Sequence, residues 1–270
     1  MPALYAHDRF GEKVSEKSDG ELKNIIFKYY NQYEVGLQGP DILFFYRPYH
    51  GNDVAKYGSH LHAVSALPFF EHAAKVVNHY GRDSAQYAYL LGFICHYTLD
   101  SECHPYVSEM MEKEHVSHLA IESEFEKYLL KKDKQHPLAY RLDRLITADR
   151  ETALAIAPFY ENISPKTVKE SLQWLKLVKR FLRAPGALKR EFLNLLFTVV
   201  PGFGFCKDLM HQKQDNSNCT ESNYGLYKRF RRAEDVAVWL MESFDESLKY
   251  GQDLEQRFNR TFEKENKKCG

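Results

Sequence analysis

The chain has no run of 18 consecutive apolar residues, so no transmembrane helix is expected. It has no excess charge either: 37 basic and 37 acidic residues cancel, and the whole-chain field predicts neither nucleic-acid nor anionic-membrane binding. Cysteine is scarce and unpatterned. Cys95, Cys103, Cys206, Cys219 and Cys269 make an odd set without CxxC spacing, which points to reduced thiols of a cytoplasmic protein rather than a thiolate zinc site. The opening MPALYAHDRFGEKV lacks an apolar stretch of signal-peptide length, which agrees with that compartment. No proline-, glycine- or serine-rich linker, internal repeat or low-complexity tract divides the 270 residues, so a single domain over 1–270 is expected.

Histidine, by contrast, is plentiful, with 12 in the chain. His96, Asp100 and His104 fall at i, i+4 and i+8, so on a helix they climb one side, about 40° apart at each step. Pro105 disfavours helical geometry at His104 and places that imidazole on the last turn. His118 and Glu122 repeat the four-residue step on a second helix. Imidazole and carboxylate suit Zn²⁺, and an aspartate between two histidines has two oxygens with which to bridge two ions. One such pair alone is usually surface chemistry. Two pairs plus His104, between His96 and Glu122, favour metal. The helix at about 84–104 is also the most apolar in the chain, and burying polar groups there is costly unless each is paired or metal-bound.

The remaining pattern is helical throughout, which predicts an all-α protein. A first helix is expected over 4–17 and a second over 19–33, capped by Asp19 and ended by Gly36 and Gly39-Pro40. Residues 47–58 read as loop, with no role for His50 or Asp53. One helix is expected to carry His60 or His62 and continue through His72 and His79 to Gly81. After 84–104 come a short helix or turn at 106–112 and a helix at 112–132, where His115 lacks a carboxylate one turn on. Further helices are expected at 146–162, 165–183, 187–199 and 233–263. The locally basic run from Lys166 to Arg190 reads as a solvated face ahead of a lipid-headgroup or phosphate-backbone surface. VVPGFGF (199–205) reads as buried ahead of lipid-touching, and 211–223 as an exposed loop.

The run His96-x3-Asp100-x3-His104-Pro105, then His118-x3-Glu122, resembles the zinc-dependent phospholipase C family. The resemblance extends over roughly the first half of the chain. It implies an all-α, multi-helix domain with a metal cluster between central helices, a fold shared with P1-type nucleases. The motifs would lie in 1–130, and 137–270 would form a helical C-terminal half. The opening Tyr5-Ala6-His7-Asp8-Arg9-Phe10-Gly11 matches the family's N-terminal histidine ligand to His7. In the family that ligand is joined by the amine and carbonyl of a terminal tryptophan, whose place Met1 or Pro2 would take here. A glycine four residues before a histidine, ahead of Phe69-Phe70, favours His62 over His60. Asp41, which on the residues alone reads as a helix cap, matches the family aspartate that orients or deprotonates the attacking water.

By that resemblance His62, His96 and Asp100 would hold one zinc ion, and His104, His118 and Glu122 a second. His7 and a bridging oxygen of Asp100 would hold a third. Two or three zinc ions are therefore implied, although iron and manganese accept the same ligands. The implied reaction is hydrolysis of a small phosphodiester or phospholipid. Zinc would coordinate the phosphate oxygens and lower the pKa of water to about 7, and peripheral membrane contact stays open. The rivals are a P1-type nuclease or other phosphodiesterase, and a metal-stabilised helical protein without hydrolytic activity. Substrate-binding residues and oligomeric state are not legible.

Overall fold

One helix with no solvent-facing side over much of its length organises the molecule. In a computed structural model that describes residues 3–263, every residue of α6 (Ala85–Glu114) from Tyr87 to Ser101 is buried. A helix buried on all sides must be enclosed by other elements. It is packed against by α1 (Leu4–Lys17), α3 (Tyr30–Gly36), α5 (Leu67–Tyr80), α7 (His118–Lys132), α8 (Arg150–Ile156) and the long α11 (Thr220–Tyr250). The closest approach is to α3. A Cβ on Gly36 would stand 2.1 Å from the Tyr89 carbonyl oxygen, and one on Gly92 2.2 Å from that of Tyr33. The two backbones therefore touch through a glycine on each side. Along α11, Asp245 accepts a 2.8 Å hydrogen bond from the Tyr87 hydroxyl, which ties its C-terminal end to the start of α6.

The other helices are α2 (Gly20–Lys28), α4 (Asp53–Ala63), α9 (Pro165–Leu182) and α10 (Ala187–Val199). Several short 3₁₀ turns connect them, among them Gly39–Phe45 and Gly204–Lys207. No strand occurs among the described residues, so the fold is all-α as expected. None of the described helices is long and apolar enough to cross a membrane. Side-chain caps explain several starts: Asn52, Ser84, Ser117, Asp149 and Ser164 accept the first-turn amides of α4, α6, α7, α8 and α9.

Several sequence-based boundaries are corrected. Pro105 does not end α6, which runs on to Glu114 because Val107 and Met110 are buried beyond it. A proline fixes φ at a helical value and loses only one backbone bond, a cost that this burial offsets. The α7 helix begins at His118 rather than 112, because His115 takes a left-handed φ of 52° and Ser117 caps the new start. The span 19–33 breaks at Tyr29 into α2 and α3. Residues 53–58, expected as loop, open α4, and a break at 64–66 separates it from α5 with His72 and His79. In the C-terminal half α8 is shorter than 146–162, and α11 begins at Thr220 and ends at Tyr250 instead of spanning 233–263. Residues 199–205 are exposed, not buried.

Candidate metal centre

α6 supplies the spine of the site. His96, Asp100 and His104 stack along the side of the helix that meets α1, α7 and the Gly39–Phe45 turn. Around them stand His7 from α1, Asp41 from the 3₁₀ turn, His62 from α4, and His118 and Glu122 from α7. All eight side chains singled out in the sequence converge here. The turn reaches the spine only because residue 39 is glycine. Its φ is 49°, and a Cβ there would lie 2.2 Å from the His96 ring.

The separations form a chain of contacts. His7 Nε2 is 3.3 Å from Asp100 Oδ1, and His104 Nε2 is 3.4 Å from the same oxygen. His96 Nε2 is 3.2 Å from Asp100 Oδ2. His104 Nε2 and His118 Nε2 lie 3.4 and 2.9 Å from Glu122 Oε1. His62 Nε2 is 3.0 Å from Asp41 Oδ1. Two ligand atoms each about 2.0–2.1 Å from a tetrahedral ion stand roughly 3.3 Å apart, so these spacings suit shared coordination. Three groups draw their ligand atoms within 4.8 Å of one another: His7, His96 and Asp100; Asp41, His62 and His96; His104, His118 and Glu122.

Protonation points the same way. The Nδ1 of His62 lies 2.8 Å from the Gly58 carbonyl, and that of His96 3.1 Å from the Leu37 carbonyl. Each Nδ1–H can donate there, which directs the Nε2 lone pair into the cluster, the arrangement that outer hydrogen bonds impose on metal-binding histidines. Burial pushes His7 and His62 down to about 4, and it lowers His96 as well, so all three imidazoles are neutral at physiological pH. The Nε2 atoms of His62, His96 and His104 are buried with no hydrogen-bond partner among the described residues. Glu122 is held down at about 2: burial opposes its charge, but His118 and His104 outweigh burial. Burial also opposes charge on His104, yet Asp100 and Glu122 raise it to about 9, so the two carboxylates demand a positive charge between them. Buried carboxylates among largely neutral imidazoles favour a cation, and this donor set fits zinc.

Among the described residues the centre is most exposed at His118. His118 has 28% of its side chain exposed, against 8% or less for the other seven. His60 is exposed on the rim of a different cleft, lined by Phe69 and Phe93, so geometry favours His62 over it. Met1 and Pro2 lie outside the described residues. The structure also places Asp41 inside a potential ligand group, where the sequence reading offered a helix cap or a residue that orients or deprotonates water.

Two other contributors were missed. Gly39 was read only as a helix terminator, and its signal was its position two residues before Asp41. Phe262 packs 5.0 Å from the His62 ring and 5.9 Å from that of His96, and closes the far wall. Nothing local marks it, because it arrives from the other end of the chain. Tyr97 holds it there by donating a 2.6 Å hydrogen bond to the Arg257 carbonyl.

Comparison with known proteins gives one finding. A family model described as zinc dependent phospholipase C matches residues 7–181, which takes in all eight residues of the cluster. No curated protein and no solved structure matches the chain.

Proposed function

The chain belongs to the zinc-dependent phospholipase C family, and from that premise we propose that it is a phosphoester hydrolase working at this centre with a multi-zinc cluster. The observation that carries the reading is the set of buried, outward-bonded imidazoles whose Nε2 atoms converge on shared carboxylates. One imidazole nitrogen holds one ion, so the two groups that share His96 cannot both be complete. His62, His96 and Asp100 would hold one ion, and His104, His118 and Glu122 a second. His7 and Asp100 would hold a third. Zinc bound there supplies Lewis-acid charge to the phosphate and lowers the pKa of water near it.

The protein's own groups then divide the work. Asp41 Oδ1 faces His62. Its Oδ2 is the oxygen that takes the proton from the attacking water. His118 borders the exposed side, where the phosphodiester enters. Phe262, Phe44 and Gly39 keep the inner wall dry, which strengthens every charge interaction within it. A purely structural zinc site closes all its positions with protein. The exposure of His118 favours the catalytic reading over that rival. Zero net charge favours a small phosphodiester or phospholipid over long nucleic acid. The free thiols Cys95, Cys103, Cys206 and Cys219 support a cytoplasmic location. The packing of α8 and α11 on α6 supports treating 1–270 as a single domain.

The test is Asp41→Asn, assayed on a panel of phosphodiesters including phosphatidylcholine and single-stranded DNA. The variant keeps an oxygen toward His62 but loses the proton acceptor. Turnover should vanish while zinc content holds. Wild-type turnover in the variant would remove Asp41 from the mechanism, and no turnover of any substrate by the wild type would leave the structural reading.

A further inference from the structure

We propose that α10 and the turn after it dock onto the surface of an anionic lipid bilayer. Leu188, Phe192, Leu195 and Val199 recur at i, i+4, i+7 and i+11, one stripe along the helix, and they are 86, 62, 63 and 67% exposed. The opposite side of the same helix is already satisfied: Leu193 and Phe197 are buried in a small core with Leu182, Ala184 and Met210. The helix is thus apolar on two sides, one settled in the fold and one in water. Val200, Phe203 and Phe205 continue the exposed stripe beyond the helix end, where Gly202 turns the chain with a φ of 82°. Single exposed apolar residues are ordinary; a contiguous helix face plus an aromatic-tipped turn marks a surface that something covers.

Charge selects the occupant. Between Arg180 and Lys207 the only acidic residue is Glu191, while Arg183, Lys189 and Arg190 add to the basic count. The whole chain is neutral, so this is a local bias. An exposed apolar stripe on a segment of net positive charge is the pattern of a helix lying in the headgroup region of an anionic leaflet. A second copy of this chain is a poorer occupant, because two-fold pairing would bring the same net-positive segment against itself.

Position agrees. Asp208, just after the turn, accepts a 2.6 Å hydrogen bond from Ser117 Oγ, and Ser117 caps the helix that begins with His118. The turn that follows the stripe is therefore tied to the start of the helix that carries His118. It also lies beyond the residues that the family model matches, so nothing in that match implies it. The docking stands apart from the hydrolase reading; only its use, bringing the centre to a lipid ester, rests on it.

The experiment is co-sedimentation of the full chain with sucrose-loaded vesicles of phosphatidylcholine containing about 30 mol% phosphatidylserine, and with phosphatidylcholine alone. The Phe192→Ser/Leu195→Ser and Phe203→Ser/Phe205→Ser variants are run beside the wild type. Binding to the anionic vesicles should weaken at least about tenfold in each variant, and wild-type binding to neutral vesicles should be weaker by a similar factor. Far-UV circular dichroism and turnover of a water-soluble phosphodiester should be unchanged. Zinc removal should leave vesicle binding intact, which separates this result from the fate of the hydrolase reading. Absence of wild-type binding, equal binding by the variants, or equal binding to both vesicles would overturn the proposal. So would light scattering showing a lipid-free dimer that the variants dissociate, since a second copy would then own the face.

Discussion

Two regions of this protein break the usual sorting of polar and apolar groups, in opposite directions. The centre on α6 buries three carboxylates and most of five imidazoles among aromatic rings. The α10 arm leaves leucine, phenylalanine and valine in water. Each arrangement is costly for a chain standing alone, by unpaired buried charge in the first case and hydrated apolar surface in the second. Each becomes favourable when one outside component arrives, a divalent cation or a lipid surface. Violations of local rules tend to mark function, and here the kind of violation names the chemistry of the missing partner.

The comparison breaks first at Asp100, whose oxygens contact three of the imidazoles. Asp100→Asn should remove at least one zinc ion per chain and lower turnover by about 10³-fold or more, read by elemental analysis and steady-state kinetics. Gly39→Ala comes next. Its methyl group would overlap the His96 ring and strain a left-handed backbone, so urea denaturation should show a loss of about 2–4 kcal/mol. A sharper contrast uses α10 alone. Phe197→Ala empties the buried side and should cost about 3 kcal/mol, whereas Phe192→Ala on the exposed side should change stability by less than about 0.5 kcal/mol in lipid-free buffer. Equal costs would mean that the exposed stripe is packed in solution.

A modest, pH-dependent effect belongs to Glu34, a polar group outside the cluster with no lysine or arginine ion pair among the described residues. Burial raises its carboxyl from 4.5 to about 7, although Lys176 opposes the rise. The folded chain thus binds this proton more tightly than the unfolded one. The stability it contributes is complete below pH 4.5 and is lost as pH climbs to about 7. Glu34→Gln should flatten that slope and stabilise the protein by about 1 kcal/mol above pH 7, with little change near pH 4.5, as thermal melts across pH will show.

How far the sequence reached can be judged from particular residues. His96, Asp100, His104, His118 and Glu122 were legible because helical periodicity turns spacing into geometry. His7, Asp41 and His62 came from the family resemblance, since each is alone on its own element. Pro105 misled because local preference disfavours a helix there, while burial of Val107 and Met110 on the enclosed helix outweighs it. Gly39 and Phe262 were missed because their roles are contacts between distant segments. The α10 stripe shows the opposite failure. Its period was plain, but a helix apolar on two sides gives no hint of which side the fold will take, and 199–205 was assigned to the interior.

The central claim is that the buried imidazoles and carboxylates on α6, α1, α4 and α7 exist to hold metal. Elemental analysis of native protein purified without chelator tests it most directly. The account predicts two or three zinc ions per chain, lost in part by His96→Ala and by His118→Ala. A metal-free wild type, with both variants folding and melting like it, would contradict the account.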